Sequence, residues 1–140
     1  AVDRVRALWR ACGAEVREMT PQAHDAVFAT VSHLPHLLAY ALVHEVASQP
    51  QAETSFEYAA SGLRDFTRIA PSHPEMWRDI CTANRAALVP LVDGTIAELE
   101  AARDALAAGD GETLEAMFRS AREARSRWLI KPMSKPLRKK

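Results

Sequence analysis

Two short segments of this chain place cationic and hydrogen-bonding side chains on otherwise apolar helical stretches. The first contains Ser32, His33 and His36, and the second, about thirty residues later, contains Arg64 and Arg68. Polar groups in such surroundings cost free energy to bury unless something pairs with them. Two separate cationic clusters therefore suit a ligand that carries a negative charge at each of its two ends.

The arginine segment allows two interpretations. Arg64 and Arg68 lie one helical turn apart and share a face, and Asp65 precedes Arg68 closely enough to pair with it. This spacing alone favours a solvated stripe of salt bridges. Against that interpretation, Trp77 begins the next predicted helix. An arginine beside a tryptophan forms a site that takes carboxylates bidentately and stacks planar rings.

Four of the five histidines fall on one predicted helix, which suggests a metal site. At 1.5 Å per residue, however, His24 and His36 would be roughly 18 Å apart, too far to share an ion. His33 and His36 could hold zinc only with ligands from elsewhere, since zinc takes three or four. We therefore predict no metal site, and the spacing alone favours His33 and His36 as ordinary helix-packing histidines.

Composition excludes several classes of protein. Eighteen basic residues balance eighteen acidic ones, so no overall field favours nucleic acid or a membrane surface. The longest apolar run, residues 37–43, is too short to span a bilayer. The closely spaced glycines Gly109 and Gly111 follow a predicted helix rather than a strand, which excludes a dinucleotide-binding loop. Cys12 and Cys81 are predicted to be reduced, buried thiols of a cytoplasmic protein.

Abundant alanine, scarce glycine and the near absence of alternation predict an all-α fold of about five to six helices. The first helix should end at Gly13, and a weak alternation over residues 14–18 leaves a short strand open. Thr20 followed by Pro21 is a strong helix start. The long helix that begins there should run to about residue 48, with a kink caused by Pro35, which lacks a backbone donor.

Three further helices follow in the prediction. They cover residues 56–70, residues 74–108 with a bend at Pro90, and residues 112–128. Gly62, inside the first of them, indicates either close packing against another helix or the approach of a ligand to the backbone. Ser72 to Glu75 reads as a capping box that starts the second. The basic residues after position 128 predict a solvated tail.

Four stretches of the chain resemble, in order and spacing, the C-terminal dimerisation domain of prephenate dehydrogenases (the TyrA family), which include arogenate dehydrogenases. The stretches are residues 24–36 (HDAVFATVSHLPH), 62–70 (GLRDFTRIA), 74–80 (PEMWRDI) and 84–85 (NR). The resemblance spans roughly residues 1–125. Such a long ordered set is more specific than any single short motif.

The resemblance implies an activity that this chain alone does not complete. The family oxidises prephenate or arogenate with NAD or NADP, transferring a hydride while the ring carboxylate is lost. A nucleotide-binding domain precedes the helical domain, two helical domains interlock into a homodimer, and tyrosine inhibits many members. The catalytic histidine belongs to the nucleotide-binding domain and has no match here, so no catalytic or cofactor-binding residue is expected. His24 is structural in the family motif and is expected to be held by Asp25.

The resemblance also implies which residues bind the substrate. Arg68 would bind the ring carboxylate, and His36 would reach the side chain of the substrate. Trp77 and Asp65 would line the site, from the same subunit or its partner. The remaining substrate-site residues would be Ser32, His33 and Arg64.

The domain organisation follows from the same resemblance. Residues 1–19 resemble the last helix and strand of a nucleotide-binding domain, residues 20–128 form the dimerisation and substrate-binding domain, and residues 129–140 form the basic tail. We interpret the chain as part of a longer dehydrogenase and expect it to be inactive alone. The alternative is a stand-alone helical module that binds an aromatic acid without catalysis.

Overall fold

A computed structural model describes residues 1–130 of the chain, and within that range the regular elements are helices, with no strand. The elements are α1 (Val2–Ala11), α2 (Pro21–Phe28), a π-helix (Ala29–His33), α3 (Leu34–Ser48), α4 (Ala52–Glu57), α5 (Ser61–Thr67), α6 (Pro74–Ala83), α7 (Arg85–Ala108) and α8 (Gly111–Ile130). The all-α prediction is therefore confirmed. The predicted basic tail lies almost entirely outside the described residues.

The helices form two compact units. The histidine unit comprises residues 19–96, and the terminal unit comprises residues 1–18 together with the chain from residue 97 onward. Helix α7 contributes to both. The predicted division of the chain at residues 19 and 128 stays a prediction.

The sequence correctly predicts where the long helix of the histidine unit begins and where it is interrupted. Thr20 accepts a hydrogen bond on Oγ1 from the backbone N–H of Ala23 at 3.2 Å, and Pro21 follows in the first turn. The interruption before Pro35 is a widened π turn, in which the N–H of Leu34 bonds to the carbonyl of Ala29, five residues back. Such turns are frequent at functional sites.

Two helices that the sequence predicts as continuous are broken. The predicted helix over residues 56–70 is α4 and α5, with residues 58–60 between them. There, the Nε–H of Arg64 donates to the carbonyl of Ala59 at 3.0 Å, replacing a backbone bond of a continuous helix. The predicted helix from residue 74 to 108 is likewise divided at Asn84 into α6 and α7, with Pro90 inside α7.

The predicted capping box at Ser72 is wrong. Ser72 donates its hydroxyl to the carbonyl of Ile69 at 2.6 Å, and His73 stands at the N-cap of α6 without a side-chain bond. The carbonyl of Ser72 instead accepts a hydrogen bond from the hydroxyl of Tyr40 at 2.5 Å, which ties α3 to the loop before α6. A tertiary contact has replaced the local cap.

In the terminal unit, α1 ends two residues before Gly13, whose φ of 83° favours glycine, and the sequence predicts this end. Residues 14–18 form no strand, because a strand requires a neighbour with which to pair its backbone groups. Side chains secure this segment instead, since Arg6 of α1 pairs with Glu18. Helix α7 ends before Gly109, which has a φ of 67°.

Little of the apolar surface is covered within the chain. Among the described residues, the buried apolar side chains are Ala29, Ala39, Trp77, Leu88 and Ala105. Large apolar side chains of α7 and α8 are open to solvent: Leu99 is 63% exposed, Leu106 67% and Phe118 64%. Cys12 is exposed as well, which corrects its predicted burial, whereas Cys81 is half-buried. A Cβ placed on Gly62 would meet no other atom within 4 Å, so close packing against the described residues does not explain this glycine.

One helical segment of the described residues, Pro21–Ser48, is long and apolar enough to cross a membrane by length and composition alone. It contains the short apolar run 37–43 of the sequence prediction. Core helices of soluble proteins pass the same test, so the absence of a membrane partner stays a prediction.

Asp110 caps the N-terminus of α8 through hydrogen bonds that depend on its charge. It accepts hydrogen bonds from the Thr113 hydroxyl at 2.7 Å and from the Thr113 backbone N–H at 3.0 Å, and these lower the pKa of its carboxyl. A folded-state pKa below the unfolded value gives stability that is present above the unfolded value and lost as the pH falls through the folded one. We expect Asp110→Asn to remove this part of the acid sensitivity in thermal melts followed by circular dichroism.

The matched control is Asp93→Asn, because Asp93 is exposed on α7 and its side chain has no hydrogen-bonding or ionic partner among residues 1–130. Its melting temperature should follow that of the wild type as the pH is lowered. Identical acid sensitivity in the wild type and Asp110→Asn would show that the cap does not act through its charge.

Candidate functional site

The indole ring of Trp77 is the centre of the candidate site. Trp77 lies on α6 and is 9% exposed. The imidazole of His36, on α3, stacks against it with 3.6 Å between ring centroids and 19° between planes. His33, in the π-helix, meets it edge-on at 6.2 Å and 73°. The structure thus brings together three of the side chains that the sequence proposes for a substrate site.

Ser32 contributes its backbone to this cluster. Its carbonyl lies 2.9 Å from Nδ1 of His36. A carbonyl can only accept a hydrogen bond, so Nδ1 of His36 carries a proton. In the neutral ring, Nε2 of His36 is therefore an acceptor, and it becomes a donor only when the ring is charged.

His33 has the opposite arrangement. Its Nδ1 lies 3.1 Å from Nδ2 of Asn84, and that same amide nitrogen lies 2.8 Å from the carbonyl oxygen of Asp25. Burial is the main cause that lowers the pKa of His33, and the charge of His24 lowers it further. The lowered pKa favours the neutral form of the His33 ring.

The candidate residues on and just after α5 make no side-chain hydrogen bond or ion pair with the described residues of the histidine–tryptophan cluster. Arg68, just after α5, and Asp65 are both exposed, and neither side chain has a hydrogen bond or ion pair with any described residue. The pairing expected between them is therefore not formed. Arg64 is exposed and bonded to the Ala59 carbonyl. Helix α5 packs on α3, so the arginines belong to the same unit as the histidines. Their charged groups remain exposed to solvent.

His24 sits on α2 in a setting of its own. Its ring stacks on Phe28 at 4.3 Å between centroids, and its Nδ1 lies 3.1 Å from Oδ1 of Asp25. The neighbour expected for it is thus present. No group of three or more metal-ligating side chains occurs within residues 1–130.

An open, almost entirely apolar depression of about 240 Å³ lies beside Trp77. Its lining residues are Leu37, Tyr40, Pro74, Trp77, Arg78 and Cys81. Burial raises the pKa of the Cys81 thiol, so this thiol is neutral at neutral pH. The indole N–H of Trp77 is buried without a hydrogen-bond partner among the described residues. The depression is smaller than most ligand pockets and suits the apolar part of a small ring compound.

Asn84 is the site residue that the residue-by-residue reasoning missed, although it lies in a stretch that carries the family resemblance. Its side chain joins Asp25 and His33, which precede it by more than fifty residues. An asparagine within an apparently continuous helix is a weak signal for a break, because asparagine is a poor helix former that favours helix ends.

Comparison with known proteins identifies the family of the chain. Residues 20–120 match the family model described as "Prephenate dehydrogenase, dimerization domain". The chain belongs to this family. The match includes α2 to α7, the π-helix and every candidate residue, and it confirms the resemblance seen in the sequence.

Individual relatives agree with this result. The chain is 36% identical over 127 residues to a cyclohexadienyl dehydrogenase of Zymomonas mobilis, covering 89% of the chain and 43% of the relative. It is 36% identical over 126 residues to a prephenate dehydrogenase of Bacillus subtilis, covering 89% of the chain and 34% of the relative. The chain thus spans less than half the length of these curated relatives.

A solved structure shows the same fold. It is the crystal structure of a prephenate dehydrogenase from A. aeolicus in complex with hydroxyphenyl propionate and NAD+. The TM-score is 0.74 and the identity is 34%, covering 89% of this chain and 44% of that one. The helical arrangement described above is therefore that of a dehydrogenase dimerisation domain.

The stacking of His36 on Trp77 can be measured separately from the hydrogen bond of His36. His36→Phe keeps a flat ring on Trp77 but loses the bond to Ser32, whereas His36→Ala loses both. Because an aromatic pair contributes about 0.5–1.5 kcal/mol beyond its buried area, we expect the alanine variant to be less stable than the phenylalanine variant by at least that amount. Urea denaturation measures the difference.

The control pair is His44→Phe and His44→Ala, since His44 is exposed on the same helix and makes no ring contact with another described residue. These two variants should differ by no more than about 0.5 kcal/mol, as is usual for surface positions. Equal stability of the two His36 variants would mean that the stacked ring contributes nothing to folding.

Proposed function

We propose that this chain is the dimerisation and substrate-binding part of an NAD- or NADP-dependent prephenate or arogenate dehydrogenase. The observation that carries the proposal is the family match over residues 20–120, which includes the histidine–tryptophan cluster. The relatives named as prephenate and cyclohexadienyl dehydrogenases, and the A. aeolicus complex with NAD+, support it. The expected location is the cytoplasm.

The proposed reaction divides its tasks between two parts of the longer enzyme. Hydride transfer is the chemistry of the nicotinamide cofactor, which the nucleotide-binding part would hold. That part would also supply the histidine that accepts the proton of the ring hydroxyl. The helical part would bind and orient the substrate while the ring carboxylate is lost as carbon dioxide, and none of its own residues is assigned a catalytic role.

Arg68 and His36 would hold the two carboxylates of prephenate. Arg68 has no partner of its own within the described chain, so its guanidinium is free to form a bidentate pair. His36 already donates through Nδ1 to Ser32, and it can donate to a carboxylate only through a protonated Nε2. His36 would therefore engage a substrate carboxylate only in its charged form.

The other assigned residues would complete the pocket. Trp77 offers a buried indole beside an apolar depression, and His33 offers an imidazole that meets this indole edge-on. Asp65 and Arg64 are exposed on α5. We propose that they line the site when a second subunit or the nucleotide-binding part covers this face. Tyrosine, a product-like aromatic acid, is proposed to bind in the same place as an inhibitor.

The homodimer is proposed to form through the open apolar faces of the helices. Leu99, Leu106 and Phe118 are each more than 60% exposed, and exposed apolar surface of this kind is typical of protein–protein interaction sites when it is contiguous. The family to which the chain belongs is defined as a dimerization domain, which supports this assignment. Association would cover surface that the single chain cannot bury.

Arg68→Gln in the full-length enzyme tests the carboxylate role. Loss of the arginine leaves a substrate carboxylate unpaired in a desolvated site. We expect kcat/KM to fall by a factor that corresponds to about 2–5 kcal/mol of lost transition-state stabilisation. Steady-state kinetics with prephenate measures it. Arg119→Gln is the control, because Arg119 is exposed on α8 and pairs only within its own helix with Glu115. Equal kcat/KM in Arg68→Gln and the wild type would refute the role.

Leu99→Glu tests the dimer. A charge on the proposed interface should weaken self-association at least about tenfold, or 1.4 kcal/mol. Sedimentation equilibrium over a range of protein concentrations measures the dissociation constant. Ala101→Glu places the same charge about half a turn away on α7 at an exposed position and should leave the dimer intact. A monomeric wild-type chain would contradict the proposed dimer.

The alternative function, a stand-alone module that binds an aromatic acid, differs in one measurable respect. Titration calorimetry of this chain alone with tyrosine or hydroxyphenylpyruvate should show at most weak binding if the site is completed by another domain. Tight binding by the chain alone would favour the alternative.

A further inference from the structure

Asn84 connects three elements of the histidine unit. It lies between α6 and α7, where its backbone carbonyl accepts hydrogen bonds from the N–H groups of Ala87 at 3.2 Å and Leu88 at 3.1 Å. An asparagine in such a place commonly caps the next helix with its side chain. Here the side-chain amide instead reaches the carbonyl of Asp25 on α2 and Nδ1 of His33 in the π-helix, at 2.8 and 3.1 Å.

These two contacts determine where the protons lie. The carbonyl of Asp25 can only accept, so the side chain of Asn84 presents its NH₂ group and not its oxygen. That group has two hydrogens, one for each neighbour. The second therefore points toward Nδ1 of His33, which must act as an acceptor. A neutral imidazole that accepts at Nδ1 carries its own proton at Nε2.

We propose that Asn84 is a positioning residue that holds His33 as a neutral imidazole with its proton on Nε2, so that His33 serves the substrate site as an uncharged hydrogen-bond donor. This inference rests on the proposed function for the identity of the ligand, but the state of His33 is independent of it. Next to it, His36 has its proton on Nδ1 and donates through Nε2 only when charged. The two neighbouring histidines thus differ in the ring nitrogen that carries the proton and in the charge state in which Nε2 can donate.

The groups around His33 act in the same direction as Asn84. Burial disfavours a charged ring, and protonated His24 on α2 and His36 on α3 would add like charges, whereas only the carboxylate of Asp25 favours the charged form. The pKa of His33 is lowered as a result. Protonation at Nδ1 would in addition turn an N–H toward the NH₂ group of Asn84 and break the only hydrogen bond that the side chain of His33 makes with the described residues.

The test is a two-dimensional NMR measurement of the imidazole nitrogens in protein labelled with ¹⁵N, which distinguishes a protonated from an unprotonated ring nitrogen. His33→Gln assigns the signals. In the wild-type chain near neutral pH, we expect Nδ1 of His33 to be unprotonated and Nε2 to be protonated. In Asn84→Asp, a carboxylate replaces the amide donor, and the proton should move to Nδ1. The titration midpoint of His33 should rise by about one to three pH units.

Gln22→Glu is the matched control, because it makes the same amide-to-acid change at an exposed position of α2. Its His33 signals should match those of the wild type. A proton on Nδ1 of His33 in the wild type would overturn the proposal, and so would a tautomer and midpoint that are unchanged in a folded Asn84→Asp variant. If that variant does not fold, the wild-type tautomer decides alone.

The measurement needs no substrate, which separates this inference from the proposed function. An Nε2-protonated His33 together with an unaffected Arg68→Gln enzyme would support the role of Asn84 and refute the substrate site. An Nδ1-protonated His33 together with an impaired Arg68→Gln enzyme would refute the role of Asn84 and support the substrate site.

Discussion

The candidate site depends on the widened turn that precedes Pro35. Proline has no N–H, and its ring would clash with a carbonyl one turn back in a regular α-helix. The chain accommodates it over Ala29–His33 by adding one residue to the turn, which rotates the following helix by about 100° relative to an uninterrupted one. His33, inside the widened turn, and His36, just beyond it, then meet the edge and the face of the same indole ring.

Different hydrogen bonds give these two neighbouring imidazoles different chemistry. A backbone carbonyl fixes the proton of His36 on Nδ1, and an amide NH₂ group fixes Nδ1 of His33 as an acceptor. A site built in this way offers one neutral donor and one ring that gains a donor by taking up a proton. Under the proposed function, only one histidine therefore has to become charged when a dianionic substrate binds, which limits the cost of placing charges in a partly desolvated site.

Local signals in the sequence predicted much of the fold, but they could not predict the tertiary contacts. Thr20, Gly13 and Pro35 act through their own backbone geometry, so the helix start, the helix end and the interruption were recognisable. Ser72 has the sequence of a cap, yet contacts with Ile69 and Tyr40 replace that role. Asn84 was missed because its partners are distant in sequence. Residue types and spacing left Trp77 and Arg68 open to two interpretations, and the family resemblance is what assigned them to a substrate site.

The histidine unit leaves an arginine unpaired among the described residues, and the terminal unit leaves apolar side chains open to solvent. An exposed guanidinium is well hydrated, and covering it without a partner would cost several kcal/mol. The single chain avoids this cost by leaving Arg68 in solvent, just as it leaves Leu99 and Phe118 uncovered. In the proposed enzyme, apolar association through Leu99 and Phe118 would supply free energy for assembly of the dimer. The arginine would lose its water only when a substrate carboxylate is present to replace it, and in the proposed enzyme this would couple assembly of the site to recognition of an anion.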